Sequence, residues 1–214
     1  MLIAGILALF IVEIPSYPVA AAVPSHLLRY RATHSLYGEI GTYANRIVQQ
    51  GEAVTVNTEI HLLVSILGIV LHREDAEREE QWRGDRLIAF RGITTVNGEA
   101  VEIHGDAREN GFEVISPQGT VLAPATVRPS NPWSSLFLGS DTLMRTDSGV
   151  IEHVLISPPT NAVLKLQGTA VDAQEYEIHS SPAYKVWLDK YDIPVMFTVD
   201  DDSGLVTFTL TEHS

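Results

Sequence analysis

The chain has 214 residues, 45% of them hydrophobic, and a formal net charge of −13 at pH 7. A chain this acidic repels nucleic acid and anionic membrane surfaces, so we expect no nucleic-acid partner. It contains no cysteine, which excludes disulfides and thiolate zinc sites and leaves burial of apolar side chains as the source of stability. A chain of this length can supply one full hydrophobic core.

The amino-terminal segment has the pattern of a secretion signal. Residues 1–12 are almost entirely apolar and are followed by Pro15, Pro18 and an alanine run at 20–22, after which we predict cleavage. The apolar stretch is shorter than the roughly 20 residues that a helix needs to cross a bilayer. We therefore expect a periplasmic or secreted protein without a transmembrane anchor after cleavage. No Lys or Arg precedes the apolar stretch, so a misassigned start or a buried amino-terminal strand is the alternative.

From residue 27 to the end, apolar and polar residues alternate with a period of two, which is typical of β-strands. We count about eleven to thirteen strands. The clearest hairpin turn is Asn97-Gly98, because this pair tolerates the positive φ angles of a two-residue turn. No repeat or linker divides the chain, so we predict one all-β domain over residues 23–214, with a single strongly curved antiparallel sheet forming a half-open or closed barrel. Further turns are predicted at Gln50–Glu52, Glu109–Gly111, Pro117–Gly119, Asp147–Gly149 and Asp201–Gly204.

Two neighbouring segments depart from this alternation. Residues 61–71 are apolar on both faces and carry Gly68 near the middle, which favours a central strand covered on both sides or a strand bent sharply at the glycine. Residues 74–81 are strongly charged and prefer a helix by intrinsic propensity. They continue directly from the apolar segment, however, and we predict a strand with a solvated charged face.

Residues 132–138 are predicted to form a short helix, with Asn131 as its cap and Gly139 at its end. Trp133 and Phe137 would then lie on one face of this helix. In a sheet that curls without closing fully, we expect such a helix to cover the open side as a lid.

The sequence lacks the motifs that carry chemistry in many enzymes: a nucleophile elbow, a phosphate-binding glycine loop, a His-Glu-x-x-His pair or a calcium loop. We therefore predict a protein that is not an enzyme and needs no cofactor, and an enzyme with scattered catalytic residues is a remaining alternative. Glu59 and His61 share a strand face, and His72 or His104 could complete a metal site with them. Histidines without ligand spacing are more often surface residues, so we predict no metal.

Four parts of the chain carry a resemblance to known proteins: residues 37–43 (YGEIGTY), 82–87 (WRGDRL), 131–133 (NPW), and 187–189 (WLD) with 194–198 (PVMFT). Together they resemble an uncharacterised bacterial family of exported proteins over about residues 27–211, which implies no established activity. At greater distance the layout resembles the lipoprotein-localisation-factor superfamily of periplasmic carriers. That resemblance implies a half-open antiparallel barrel whose concave face holds acyl chains, and it assigns no ligand-contact residue.

The leading hypothesis is that the barrel interior binds or carries a lipid or another apolar ligand. An apolar chain held in a dry groove gains about 0.8 kcal/mol per buried methylene before entropy costs. The alternative is that the same side chains fill a solid core, in which case we expect a structural or interaction module that binds an envelope protein. The predicted ligand-binding residues are Ile60, Leu62, Val64 and Ile66 on one strand face, with Trp133 and Phe137 as the lid.

Overall fold

The computed structural model describes residues 25–201 and 204–214. The predicted signal segment 1–22 and the centre of the predicted turn at 201–204 lie outside the described residues. Within the described part the chain forms one short helix, Ser135–Gly139, and 17 strands. The strands are β1 Ser25–His34, β2 Gly38–Gln50, β3 Ala53–Ile66, β4 Ile69–Arg83, β5 Arg86–Val96, β6 Glu99–Arg108, β7 Gly111–Ser116, β8 Gly119–Ala123, β9 Arg128–Pro129, β10 Thr142–Met144, β11 Ile151–His153, β12 Leu155–Ile156, β13 Thr160–Leu166, β14 Thr169–His179, β15 Ala183–Leu188, β16 Pro194–Asp201 and β17 Gly204–His213.

Fourteen strands form one antiparallel sheet, which confirms the predicted fold class. β1 pairs with both β2 and β17, so the first and last of the described strands meet in the middle of the sheet. The two ends of the sheet are β8 and the β12–β14 group, and they are not hydrogen-bonded to each other in the described residues, so the barrel is half-open. The order is β12-β14-β15-β16-β17-β1-β2-β3-β4-β5-β6-β7-β8, with β13 also paired to β14.

The sheet curls strongly toward one side. β4 and β15 lie six positions apart in the sheet order, which in a flat sheet would separate them by about 29 Å. Nevertheless, Thr146 accepts a hydrogen bond from Arg78 on β4, and the adjacent Arg145 donates one to the carbonyl of Ser181 just before β15. Two consecutive residues can bridge these strands only because the sheet brings them toward each other.

Residues 124–154 run across the concave face, and we call them the cover segment. They contain the helix and a small second sheet in which β10 pairs parallel with β9 and antiparallel with β11. Strands this short carry too little alternation to be recognised, which is why the sequence predicted fewer strands than the structure contains. A short helix near the predicted place is confirmed, but it starts at Ser135 and its cap is Ser134, whose hydroxyl accepts from the Leu136 amide.

The apolar segment 61–71 is not one central strand, and that prediction is corrected. The chain reverses at Leu67-Gly68, so the segment is the end of the β3–β4 hairpin, with Ile66 opposite Ile69. Residues 74–81 are part of β4, as predicted, because pairing with β3 and β5 outweighs their helical propensity. The described residues include no helix with the length and apolar character of a membrane span.

Candidate ligand-binding cavity

A cavity of about 420 Å³ lies between the concave face of the sheet and the cover segment. Strands β1 to β4 line one side, β15 to β17 line another, and the cover segment contributes the rest. Small-molecule sites typically measure about 300–1,000 Å³, so the cavity has the size of a binding site. The concave side of the sheet is therefore not packed solid.

One wall of the cavity is apolar and built around an aromatic cluster. Phe197 on β16 stacks on Phe208 of β17 with a centroid distance of 4.5 Å, and Tyr43 of β2 meets both rings edge-on at 5.3 and 5.5 Å. These geometries are favourable for aromatic packing. Ile60 and Val64 on β3 extend the wall. An alkyl chain in the cavity would lie against rigid, preformed apolar surface.

Another part of the lining is charged. The cover segment contributes Arg145 and Asp147, whose side chains form two hydrogen bonds of 3.1 and 2.7 Å. Burial raises the pKa of the Asp147 carboxyl, but the hydrogen bond and charge of Arg145, together with the Ser148 hydroxyl and the charge of Arg78, outweigh it and hold this pKa below its usual range. Asp147 is therefore an anion at neutral pH, and much of the Arg145 charge is neutralised by it.

Arg78 on β4 is the least neutralised cation of the lining. Its side chain is 5% exposed, and its terminal nitrogens donate to the hydroxyls of Thr146 at 2.8 Å and Thr94 at 3.2 Å. The nearest carboxylate oxygen, from Glu74, lies 4.0 Å away, and Nε has no acceptor among the described residues. Glu80 and Asp147 also interact with its charge at longer range, but a buried cation without a directly hydrogen-bonded carboxylate is incompletely compensated. Arg78 therefore leaves positive charge available to an anionic group in the cavity.

The predicted wall residues are only partly where the sequence placed them. Ile60, Leu62 and Val64 line the cavity, as the predicted wall would require. Ile66 does not, because a register shift between Val64 and Ser65 and the turn that follows place it on the exposed hairpin end.

The predicted lid residues lie outside the cavity lining, which corrects their expected position. Trp133 packs edge-on against Trp82 at a centroid distance of 6.0 Å, and its Nε1 donates to Glu80 at 3.1 Å. Phe137 is buried in the main core beside a separate void of about 10 Å³. The two rings therefore belong to different core clusters and do not share one helix face. The cover over the cavity is formed by Ser130, Pro132 and residues 145–147. Of these, the sequence predicted a position only for Pro132, in the short helix, and for Asp147, in a turn.

A buried polar network attaches the cover segment to the sheet. The Glu80 carboxylate on β4 accepts hydrogen bonds from Asn131 Nδ2 at 2.6 Å, Trp82 Nε1 at 2.9 Å and Trp133 Nε1 at 3.1 Å. Burial raises the pKa of Glu80 to about 7, although these three donors and the nearby Arg78 each lower it. The network thus places a titratable carboxyl in the interior beneath the cover.

Asn131 uses its remaining polar capacity on β2 and β3. Its Oδ1 accepts from the Tyr43 hydroxyl at 2.5 Å and from Asn45 Nδ2 at 3.2 Å, and its Nδ2 also donates to the Thr58 hydroxyl at 3.0 Å. Since Tyr43 lines the cavity, the same network holds one wall residue and the cover in a fixed relation. Burial raises the pKa of Tyr43 above its usual range, so its hydroxyl keeps the proton that it donates.

The residues weighed as metal ligands do not converge. His61 Nδ1 lies 2.9 Å from Asp75 Oδ1, while His72 and His104 lie nearest to Glu74 and Glu102 respectively. Across residues 25–201 and 204–214, no three His, Asp or Glu side chains are grouped so that they could hold a metal ion.

Comparison with known proteins adds a family and a fold. A family described as a domain of unknown function (DUF6134) matches residues 38–211. No curated protein matches the sequence. Among solved structures, the chain is similar to a crystal structure of a β-barrel-like protein of the DUF1849 domain of unknown function from Brucella abortus. The identity is 15%, the TM-score is 0.60, and the alignment covers 89% of this chain and 97% of that one, so the likeness concerns the fold alone.

Proposed function

The chain belongs to the DUF6134 family of domains of unknown function, and we propose that it binds a single-chain amphiphile, such as a fatty acid, in the cavity under its cover segment. The alkyl chain lies on the apolar wall, and the polar end faces Arg78. The observation that carries this proposal is a preformed cavity of about 420 Å³ whose lining combines an aromatic wall with the buried Arg78 and the half-buried Arg145.

The apolar wall supports an alkyl ligand. Each buried methylene contributes about 0.8 kcal/mol, so a chain of about ten contributes about 8 kcal/mol before the entropy of association is subtracted. The wall residues Tyr43, Phe197 and Phe208 already pack against one another, so little ordering is needed on binding. The distant sequence resemblance to lipoprotein-localisation-factor carriers is consistent with an acyl ligand.

The charged lining supports an acidic polar end. Arg145 is paired with Asp147 through two hydrogen bonds, whereas Arg78 has no hydrogen-bonded carboxylate among the described residues, and its nearest carboxylate oxygen, from Glu74, lies 4.0 Å away. A carboxylate beside Arg78 would form charge-assisted hydrogen bonds in a site with little water, where such bonds are strong.

We propose binding without a chemical step, in an exported protein. The Asp147 carboxyl, held ionised by Arg145, is a poor proton donor. A protein that carries a poorly soluble amphiphile between membranes fits the export expected from residues 1–22.

The test is to isolate the protein gently from its own cells and measure its mass under native conditions, where a bound amphiphile appears as added mass. Binding of a fluorescent fatty acid is then measured for the wild type, for Val206→Trp, which fills the cavity from β17, and for Val163→Trp, which alters an exposed site on β13. We expect Val206→Trp to lose probe binding and Val163→Trp to keep it. No added mass together with no probe binding by the wild type at tens of micromolar would overturn the proposal.

A further inference from the structure

The end of the β3–β4 hairpin extends beyond the rest of the sheet. β2 pairs with β3 only as far as Leu62, and β5 pairs with β4 only from Glu74. Between these points the two strands pair with each other alone, for example Val64 with His72 and Ile66 with Ile69. We call residues 63–72 the finger.

The finger exposes an unusual amount of apolar surface. Six of its side chains are large, hydrophobic and at least 45% exposed, and no charged residue occurs from 62 to 71. Exposed apolar patches of this kind mark surfaces that bind another protein or a membrane. The six residues are Leu63, Ile66, Leu67, Ile69, Val70 and Leu71.

Leu67 at the tip adopts a backbone conformation that leucine rarely takes. The φ angles of Leu67 and Gly68 are +51° and +83°, nearly those of the Asn97-Gly98 turn at +52° and +93°. The left-handed region favours Asn or Gly at the first of these positions. Leu67 is 99% exposed, so no packing in the folded chain offsets this cost. A leucine at this position therefore points to a contact outside the folded chain.

We propose that the finger inserts into the interfacial layer of a zwitterionic lipid bilayer. Both faces of the finger are apolar. A lipid layer that surrounds the finger would cover both faces, whereas a groove on a protein would cover only one. Amphipathic elements at membrane surfaces reach about 5–10 Å into the headgroup and acyl boundary. The finger extends about 13–16 Å at about 3.3 Å per residue, so its tip is immersed while the unpaired backbone groups along its edges stay near hydrated headgroups.

The charges at the base of the finger match a zwitterionic surface. Asp75 accepts from Arg73 at 2.7 Å and lies 2.9 Å from His61 Nδ1, so groups of both signs are grouped where the finger leaves the sheet. Such a set can contact both the phosphate and the amine of a zwitterionic headgroup. The net charge of −13 disfavours an anionic surface.

The finger also continues the wall of the cavity. Leu62, Val64 and Leu71 line the cavity, and the last of these is at the same time an exposed finger residue. An immersed finger therefore joins the cavity to the acyl region along one apolar surface. Insertion itself requires no ligand in the cavity, so it can be tested separately from the proposed function.

The first experiment follows the finger directly. The chain has no cysteine, so Val70→Cys takes a single environment-sensitive fluorophore, and Val163→Cys on β13 gives a matched exposed control. With phosphatidylcholine vesicles, we expect the label at 70 to shift to shorter wavelength and to be quenched by a lipid-borne quencher. The label at 163 is expected to change little. An unchanged label at 70 would overturn the proposal, as would a shift without vesicles that grows with protein concentration, which would assign the finger to a second copy of the chain.

The second experiment separates insertion from folding. Leu67→Asn removes the apolar tip and places a residue suited to the turn there, so the variant is expected to fold as well as the wild type while its vesicle-bound fraction falls about tenfold or more. Leu155→Asn removes another exposed leucine, on β12 and outside the finger, and should leave vesicle binding unchanged. An equal loss of vesicle binding in both variants, or no loss of vesicle binding in Leu67→Asn, would contradict insertion through the finger.

Discussion

The side-chain amide of Asn131 donates a 2.6 Å hydrogen bond to the carboxylate of Glu80, which joins the cover segment to the concave face of β4. Both residues are about 1% exposed. Asn131 reaches Tyr43, Asn45 and Thr58 as well, so one side chain links the cover to three neighbouring strands. Because the cover forms one side of the cavity, the cavity's shape depends on this contact.

Asn131→Ala is expected to lower the free energy of unfolding by about 2–4 kcal/mol. The change leaves several buried polar groups of the network without partners, and each unsatisfied group costs about 1–3 kcal/mol. Urea unfolding measures the effect, with Asn161→Ala on exposed β13 as the matched control, for which we expect a change below about 0.5 kcal/mol. A similar small change in both variants would show that the network contributes little.

Glu80 is expected to make stability depend on pH between about 4.5 and 7. Its pKa is about 7 in the folded chain, against an ordinary value of 4.5. Within this interval the folded chain keeps a proton that the unfolded chain has lost, so stability falls as the pH rises through it and is level above it. The size of the fall is about 3 kcal/mol.

The measurement compares urea unfolding of the wild type and Glu80→Gln from pH 4 to pH 8, since the difference between the two removes the titration of the other carboxyls and histidines. In Glu80→Gln, the side-chain amide group, itself a donor, faces the three donors from Asn131, Trp82 and Trp133. The variant should therefore be less stable than the wild type at every pH. The difference should be largest at low pH, where the wild type is most stable. A difference that does not vary with pH would show that the Glu80 pKa is not raised.

The fold and part of the apolar wall could be predicted from local pattern, whereas the charged lining and the cover of the cavity could not. Turns such as Asn97-Gly98 are encoded by neighbouring residues, and alternation identifies strands even where propensity disagrees, as in residues 74–81. By contrast, the two-sided apolar pattern of residues 61–71 is the same for a buried strand and for an exposed finger, and only the ends of the neighbouring strands distinguish them.

The same limit explains why the positions of Trp133 and Arg78 could not be predicted from the sequence. The Trp133 ring is held by Glu80, a partner 53 residues away, and no local pattern indicates such a pair. Arg78 lies on the concave side of a strand whose many charged residues predict a solvent-exposed surface. Its hydrogen bond to Thr146 forms only because the sheet curls. Residues that come together only because the sheet curls cannot be identified from the sequence.

Arg78→Met is expected to separate ligand selectivity from stability. The loss of hydrogen bonds to Thr94 and Thr146 is offset by removal of a poorly compensated buried charge, so stability should change by no more than about 1 kcal/mol. If the arginine holds an acidic polar end, affinity for a fatty acid should fall about tenfold or more, while affinity for the alcohol of equal chain length should not. Titration of both ligands checks this, with the exposed Arg46→Met as control. Equal losses for acid and alcohol would assign Arg78 to the structure of the wall alone.

Leu67→Asn is expected to raise the free energy of unfolding by about 1 kcal/mol. Asparagine adopts the left-handed conformation at this position at less cost than leucine, and Leu67, at 99% exposure, gives up almost no packing in the folded chain. Thermal and urea unfolding in the absence of lipid measure the change. Asn97→Leu makes the reverse exchange in the corresponding turn between β5 and β6 and should lower stability by at least as much, since Asn97 also accepts from the Arg73 amide at 2.9 Å. If Leu67→Asn lowered stability instead, the leucine would be contributing to the folded chain itself, and the backbone argument for an external contact would fail.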